Sequence, residues 1–278
     1  MSLLSKVTSG VSQSGIRVVI AGQEKMGKTT LCASMPNTLL VPLEVGYEGI
    51  TTPKTPMIQT YAEFMGLLNE LLNQYRAYGQ TQYKTLIIDS ATALERHIHN
   101  QVVIGDPAYK SKGATKITME TCYGGYGRGH TMATEYFNEL LKFFDILAIH
   151  AGMNIVLTCH VFSSKVVDPT SGEYDSWDLL LHSPKNMKTY GKREALMQWA
   201  DLVGFMYEPI YVSESGGVSK GVSQNRGRVM GLSRTPSYAA GNRFGLEGEV
   251  SIPGPPANGW NQIAKLIYEK TGRDLFTR

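Results

Sequence analysis

Gly22-Gln23-Glu24-Lys25-Met26-Gly27-Lys28-Thr29 fits the phosphate-binding P-loop pattern G-x-x-x-x-G-K-[ST] without a mismatch. The flanks make the match informative. Before it, Ile16-Arg17-Val18-Val19-Ile20-Ala21 is a β-branched run that predicts a buried strand. After it, Thr30-Leu31-Cys32-Ala33-Ser34-Met35 predicts a helix, which Pro36 stops. Between a strand and a helix the pattern acquires a mechanism. Gly22 and Gly27 let the backbone curl, so that N–H groups from Gln23 through Met26 and on to Thr30 converge on phosphate oxygens. The helix N-terminus adds partial positive charge. Lys28 is placed to neutralise the β- and γ-phosphates, and the Thr29 hydroxyl to hold Mg²⁺. The stretch implies a bound nucleoside triphosphate. The chain has no guanine-reading N-K-x-D pattern, which favours ATP.

The 278 residues suit one large α/β domain with a sizeable core. A hydrophobic content of 42% and a net charge of +3 are ordinary for a globular protein and say little about a polyanionic partner. No apolar run reaches bilayer-spanning length, and Met1–Lys6 lacks the flank and apolar core of a secretory signal. Cys32, Cys122 and Cys159 fall in no metal-ligand spacing, so free thiols in a reducing compartment are expected. Together these features predict a cytoplasmic protein with no membrane partner.

Outward from the P-loop, residues 1–15 read as a flexible lead-in, 16–252 as the main domain, and 253–278 as a linker and closing helix. Strands are predicted at Leu39–Glu44, Met57–Gln59, Thr85–Asp89, Asn154–His160 and Asp201–Tyr207, with helices near 61–78, 92–103, 131–150, 191–199 and 260–271. Residues 163–190 read as a polar segment, Ser215–Gly227 as a turn-rich one between two antiparallel strands. The alternation predicts an α/β fold: a mostly parallel sheet flanked by helices, with an antiparallel β extension toward the C-terminus.

A P-loop needs a carboxylate at a neighbouring strand end to fix Mg²⁺, and Asp89, after Thr85-Leu86-Ile87-Ile88, supplies it. Hydrolysis also needs a group to orient the attacking water. Glu63 and Glu44 both follow predicted strands; Glu63 is preferred, although Thr60-Tyr61-Ala62-Glu63 is also a capping-box pattern. His160 ends the strand expected beside the P-loop strand, where it would touch the γ-phosphate or its water.

This order of features resembles the RecA-like ATPase core, and more narrowly the small phage-encoded RecA-core proteins of single-strand annealing and recombination. The resemblance implies a DNA-dependent ATPase using ATP and Mg²⁺, with Lys28, Thr29 and Asp89 on nucleotide and metal and Glu63 as base. His160 would stand where that family has a γ-phosphate-sensing glutamine. It also implies homo-oligomers with ATP sites at subunit interfaces, Arg243 or Arg234 reaching a neighbour's γ-phosphate, and the host cytoplasm as location. Single-stranded DNA, and a single-strand DNA-binding protein, would be the partners. Two DNA-contacting loops would follow: one carries Tyr123, Tyr126 and Arg128, the other Lys165, Trp177, Lys185 and Lys188. Aromatics among glycines and cations suit base stacking with phosphate neutralisation. Two other readings stand beside it: a hexameric helicase-type or loader motor, and an ATP-binding switch acting on a protein partner without DNA.

Overall fold

A computed structural model describes residues 4, 7, 9–10, 14–112, 116–184, 191–215, 218–224, 227–255 and 258–275. Its centre is β1 (Arg17–Gly22), buried from Val18 onward. A strand covered on both faces must be apolar throughout, which is why this run does not alternate. β1 pairs in parallel with β4 (Asn154–Cys159) on one side and β7 (Leu202–Tyr207) on the other. β3 (Thr85–Asp89) follows β4, and β2 (Thr38–Pro42) closes that edge, all in parallel. Beyond β7 the sheet turns antiparallel, through β10 (Val229–Gly231) and β12 (Glu249–Ser251), while β11 (Gly241–Asn242) pairs with another part of β7. The resulting order is β12-β10-β7-β1-β4-β3-β2. The α/β fold class read from the sequence is therefore the observed one.

Successive β1 side chains enter different cores. Val18 and Ile20 join Leu31 of α1 (Lys28–Ala33) and Trp260, Ile263 and Ile267 of α7 (Trp260–Thr271). Val19 and Ala21 join the larger core under α2 (Tyr61–Tyr78), α3 (Ala91–Gly105), α5 (Arg128–Ile149) and α6 (Lys192–Trp199). The closing helix is thus built into the sheet's second face. Its first turn is tied to α1, since Trp260 N–H donates to Ser34 Oγ at 3.2 Å. A short helix, α4 (Tyr109–Lys112), and a 3₁₀ turn at Cys122–Gly124 lead into α5. Among the described residues no helix is long and apolar enough to cross a membrane.

Three segments differ from expectation. Met57–Gln59 forms no strand: the chain laces along the β2 edge through Leu40 N–H to Pro53 O, Thr55 N–H to Leu40 O and Ile58 N–H to Pro42 O. Pro53 and Pro56 lack the donors that a continuous ladder requires. Residues expected as a polar loop form a hairpin of β5 (Val161–Asp168) and β6 (Gly172–Leu179), closed by Asp168 Oδ1 accepting from Thr170 and Ser171. Within the stretch read as turn-rich, Ser215–Gly227, β9 (Val218–Ser223) forms and pairs with β8 (Ile210–Ser215), the strand expected at Ile210–Glu214, as a second hairpin. Both hairpins lie off the main sheet; β5–β6 buries Leu179 and leans Val161 and Trp177 on the larger core, so its apolar signal in the sequence is short.

Where α3, α5 and α6 meet, a buried polar cluster replaces apolar packing. Lys192 is fully buried with its Nζ 3.1 Å from Glu95 Oε1, which also accepts from His182 N–H at 2.9 Å. The His130 ring stacks on His182 at 3.8 Å, and His99 meets His130 edge-on at 5.6 Å. Burial, followed by the Lys192 charge, lowers His99 to about 3 and His182 to about 4. Both lie below the usual histidine value. Between that value and about pH 4 the unfolded chain therefore binds protons that the folded chain refuses, and stability falls with falling pH. The thermal midpoint should drop between about pH 7 and about pH 5, and His99→Gln should flatten the drop. Equal slopes for both proteins in a pH series of melts would remove this cluster as the cause.

Candidate nucleotide-binding site

The P-loop turns from β1 into α1 as its residue pattern demands. Gly27 is the N-cap of α1 at φ 83°, and Lys25 also sits at positive φ. Gly22 has a different constraint: a Cβ there would lie 2.5 Å from the Met206 carbonyl oxygen on neighbouring β7. Lys28 is buried, and its Nζ donates to Gly22 O at 2.9 Å and Gln23 O at 2.8 Å. Burial lowers its pKa, opposed by the nearby Asp89 charge. A buried ammonium on backbone carbonyls, beside a carboxylate, is a cation prepared for a phosphate.

Asp89 ends β3, and its carboxylate bridges two elements. Oδ2 accepts from Thr29 Oγ1 at 3.0 Å, and Oδ1 accepts from Thr158 Oγ1 of β4. β4 lies between β1 and β3, so the sheet order brings these hydroxyls to the carboxylate. A hydroxyl beside a carboxylate is the hard oxygen set that Mg²⁺ favours, and the donors fit that ion together with a triphosphate.

Next to Asp89 lies a second polar group. Glu44, just past β2, places Oε1 2.8 Å from His160 Nε2 and Oε2 2.9 Å from Arg96 Nη2 of α3. Burial raises the Glu44 carboxyl, but hydrogen bonds from His160 and Ser90 and the His160 and Arg96 charges prevail and leave it below the usual range. His160 is held in turn by its N–H, 3.2 Å from Thr92 Oγ1. Strand ends of β2, β3 and β4 thus converge on one patch, the edge where open parallel sheets carry their ligands.

Other expected residues fall elsewhere. Glu63 closes the capping box of α2: its Oε2 accepts from Gln59 N–H at 2.8 Å and Thr60 N–H at 3.2 Å, while Thr60 Oγ1 accepts from Glu63 N–H. The carboxylate offered to the attacking water is used as a helix cap. Arg243 is committed to Asp201 Oδ1 at 3.1 Å and to Gln198 O, at the end of β7 opposite the P-loop. Arg234 is exposed and has no partner among the described residues. Tyr126 is 97% exposed, whereas Tyr123 is half-buried against the larger core with Arg128 Nη1 3.2 Å from its carbonyl. Trp177 also packs partly against that core, and exposed Lys165 lies 4.0 Å from Glu173. Lys185 and Lys188 lie outside the described residues.

Three residues escaped the sequence reading. Thr158 was visible only as a hydroxyl inside an apolar strand, and Arg96 as one charge among several on α3. Arg228 carried no local signal, yet its Nη1 donates to Met26 O of the P-loop at 3.2 Å. The glycine geometry gives a direct comparison. In Gly22→Ala the new methyl meets rigid backbone, for about 1–3 kcal/mol of destabilisation. In Gly27→Ala it meets the movable Arg228 guanidinium, leaving mainly the backbone cost of about 1–2 kcal/mol. Denaturant melts should rank Gly22→Ala as the more damaging change; the reverse order would contradict this packing.

Among curated proteins no match to the chain was found. A family model described as an AAA domain matches residues 14–244, a span that contains the P-loop, Asp89, Glu44, His160 and the whole parallel sheet. The chain belongs to this AAA domain family, and its site is that of a P-loop nucleotide-binding ATPase.

Proposed function

We propose that the chain is a Mg²⁺-dependent ATPase that binds single-stranded DNA and promotes phage DNA recombination or strand annealing as a homo-oligomer. The hydrolytic part rests on one observation: the Glu44–His160 pair at 2.8 Å beside the Thr29–Asp89 contact. Glu44, rather than Glu63, is the base. Contacts from His160 and Arg96 fix the orientation of its carboxylate, whose remaining lone pairs orient the attacking water. Lys28 would neutralise the β- and γ-phosphates, and Thr29 and Asp89 would hold the metal. Mg²⁺ bound there supplies charge neutralisation for the transferring phosphoryl group. His160 lies between the end of β4 and the start of β5, so it links the Glu44 oxygen to the β5–β6 hairpin.

The DNA part is supported by Tyr126. Its ring stands in solvent on a turn in which Gly124, Gly125 and Gly127 take positive φ, with exposed Arg128 and Lys116 nearby in sequence. A solvated aromatic beside cations on a tight turn is a stacking platform for bases. Arg243 is assigned to the fold, tying the 241–243 stretch to Asp201.

Two measurements test these roles. Glu44→Gln should retain ATP binding and lose about 10²–10⁴-fold in turnover. Glu63→Ala, which removes the capping acceptor, should keep turnover and cost about 1 kcal/mol of stability. Full turnover in Glu44→Gln would return the base to another group. Single-stranded DNA should raise the ATPase rate of the wild type, and Lys28→Ala should abolish the rate. Tyr126→Ala should weaken DNA binding by about tenfold, from about 1–3 kcal/mol of lost stacking. Unchanged affinity and salt slope would exclude this turn, and directional strand displacement would favour a helicase-type motor.

A further inference from the structure

A polar cleft of about 510 Å³ opens between the first turn of α2, α3 and the 117–119 segment, with no P-loop or metal-site residue in its wall. Tyr61 and Tyr109 bring two rings to it, and both lean on the larger core, which fixes them before any ligand arrives. Tyr61 is further braced edge-on against Tyr136 at 5.6 Å. Gln59, Asn100 and Gln101 line the same space, and among the described residues their side-chain amides have no hydrogen-bond partner. Ile117 and Met119 add apolar surface. Among the described residues no carboxylate, lysine or arginine lines the cleft. Glu120, next in sequence after Met119, is turned to His130 at 3.2 Å. Core-held rings, unused amides and no charge suit an uncharged planar ring with donors and acceptors on its edge; they do not suit a phosphate or an amino acid.

The cleft is joined to the exposed turn that carries Tyr126. Asp106, the C-cap of α3, is buried and holds both. Its Oδ2 accepts from Tyr123 N–H, its Oδ1 from Ala108 N–H at 2.6 Å, and its carbonyl from Tyr109 N–H at 2.9 Å. The Tyr123 hydroxyl lies against Gly105, where a Cβ would come within 3.1 Å, and the preceding Ile104 lines the cleft. The Tyr126 turn and the cleft are therefore fixed to one helix end. Lys116 is exposed just before Ile117, and Arg128 is exposed just after the turn, so cations stand outside the cleft where phosphates would pass. We infer that the cleft receives one unstacked base of a bound single strand whose neighbouring base stacks on Tyr126. The inference rests on the single-stranded DNA reading above and adds a base-reading site to it. The tyrosines meet the ring, and the amides pair with its Watson–Crick edge, the way single strands are read for sequence. Each amide carries a donor and an acceptor, so bases with different edge patterns gain different bonds. Stacking on Tyr126 alone is satisfied by every base.

Base identity separates the cleft from the stacking turn. Fluorescence anisotropy on the full chain would compare homopolymers of deoxyadenosine, deoxycytidine and thymidine with an abasic strand of the same length, which keeps sugars and phosphates without bases. The proteins would be the wild type, the double variant Asn100→Ala with Gln101→Ala, and Tyr126→Ala. Asn100 is exposed and Gln101 half-buried on α3, where alanine favours the helix. The wild type should separate the three homopolymers by about tenfold from best to worst, the worth of about one or two hydrogen bonds. The double variant should bind all three within about twofold of one another and bind the abasic strand as the wild type does. Tyr126→Ala should weaken all three alike and keep their ranking. A ranking kept in the double variant, a loss shared by the abasic strand, or a wild type that binds all three equally would overturn the cleft's role and leave the single-strand reading standing. A wild type that binds no homopolymer would instead defeat that reading, and this inference with it.

Discussion

The Asp89 carboxylate, accepting from Thr29 on one oxygen and Thr158 on the other, ties the chain's first helix to two strands of the sheet. These groups come from three distant parts of the sequence, and they meet only because β4 is inserted between β1 and β3. A carboxylate at that depth needs hydrogen-bond partners, and two hydroxyls with Lys28 nearby supply them. The same arrangement leaves Thr29 and Asp89 facing the loop where a triphosphate and its metal belong. Polar satisfaction and function therefore use the same atoms.

Two cores hold that arrangement rigid. β1 sends Val19 and Ala21 under Phe64, Phe137 and Phe144, and Val18 and Ile20 under Leu31 and Trp260. The P-loop is bounded by close approaches, at Gly22 against the Met206 backbone and at Gly27 against the Arg228 side chain. A loop held this way keeps its N–H groups aimed before any ligand arrives, which reduces the ordering cost of binding. The C-terminal helix contributes to the clamp through Trp260 and its bond to Ser34.

Glu63 and Glu44 show how local and tertiary demands compete for the same residue type. Both follow stretches that look like strands, and both carry a carboxylate at the right end. Glu63 has a local partner three residues back, and the capping box takes it. Glu44 has no local partner. Its ligands, His160 and Arg96, come from β4's end and from α3, so nothing near it in sequence reveals its importance. The Arg243 guanidinium is similar: it reads as a free cation in a turn, and Asp201 claims it.

Features that depend on neighbours along the chain are legible in the residues alone. The strand–loop–helix grammar around Gly22–Thr29, the buried runs of β1, β3 and β4, the bounds of α2 and the capping box are all local, because hydrogen bonding and side-chain period act over a few residues. Which distant groups share a volume emerges with the folded chain: Thr158 on Asp89, His160 and Arg96 on Glu44, Lys192 on Glu95, and Arg228 on the P-loop. The β5–β6 hairpin and the pairing of β9 with β8 also belong here, since both lie off the main sheet. Strand order and crossover set these meetings. They follow from burying both faces of one sheet at once, a condition on the whole chain that no short window of residues contains.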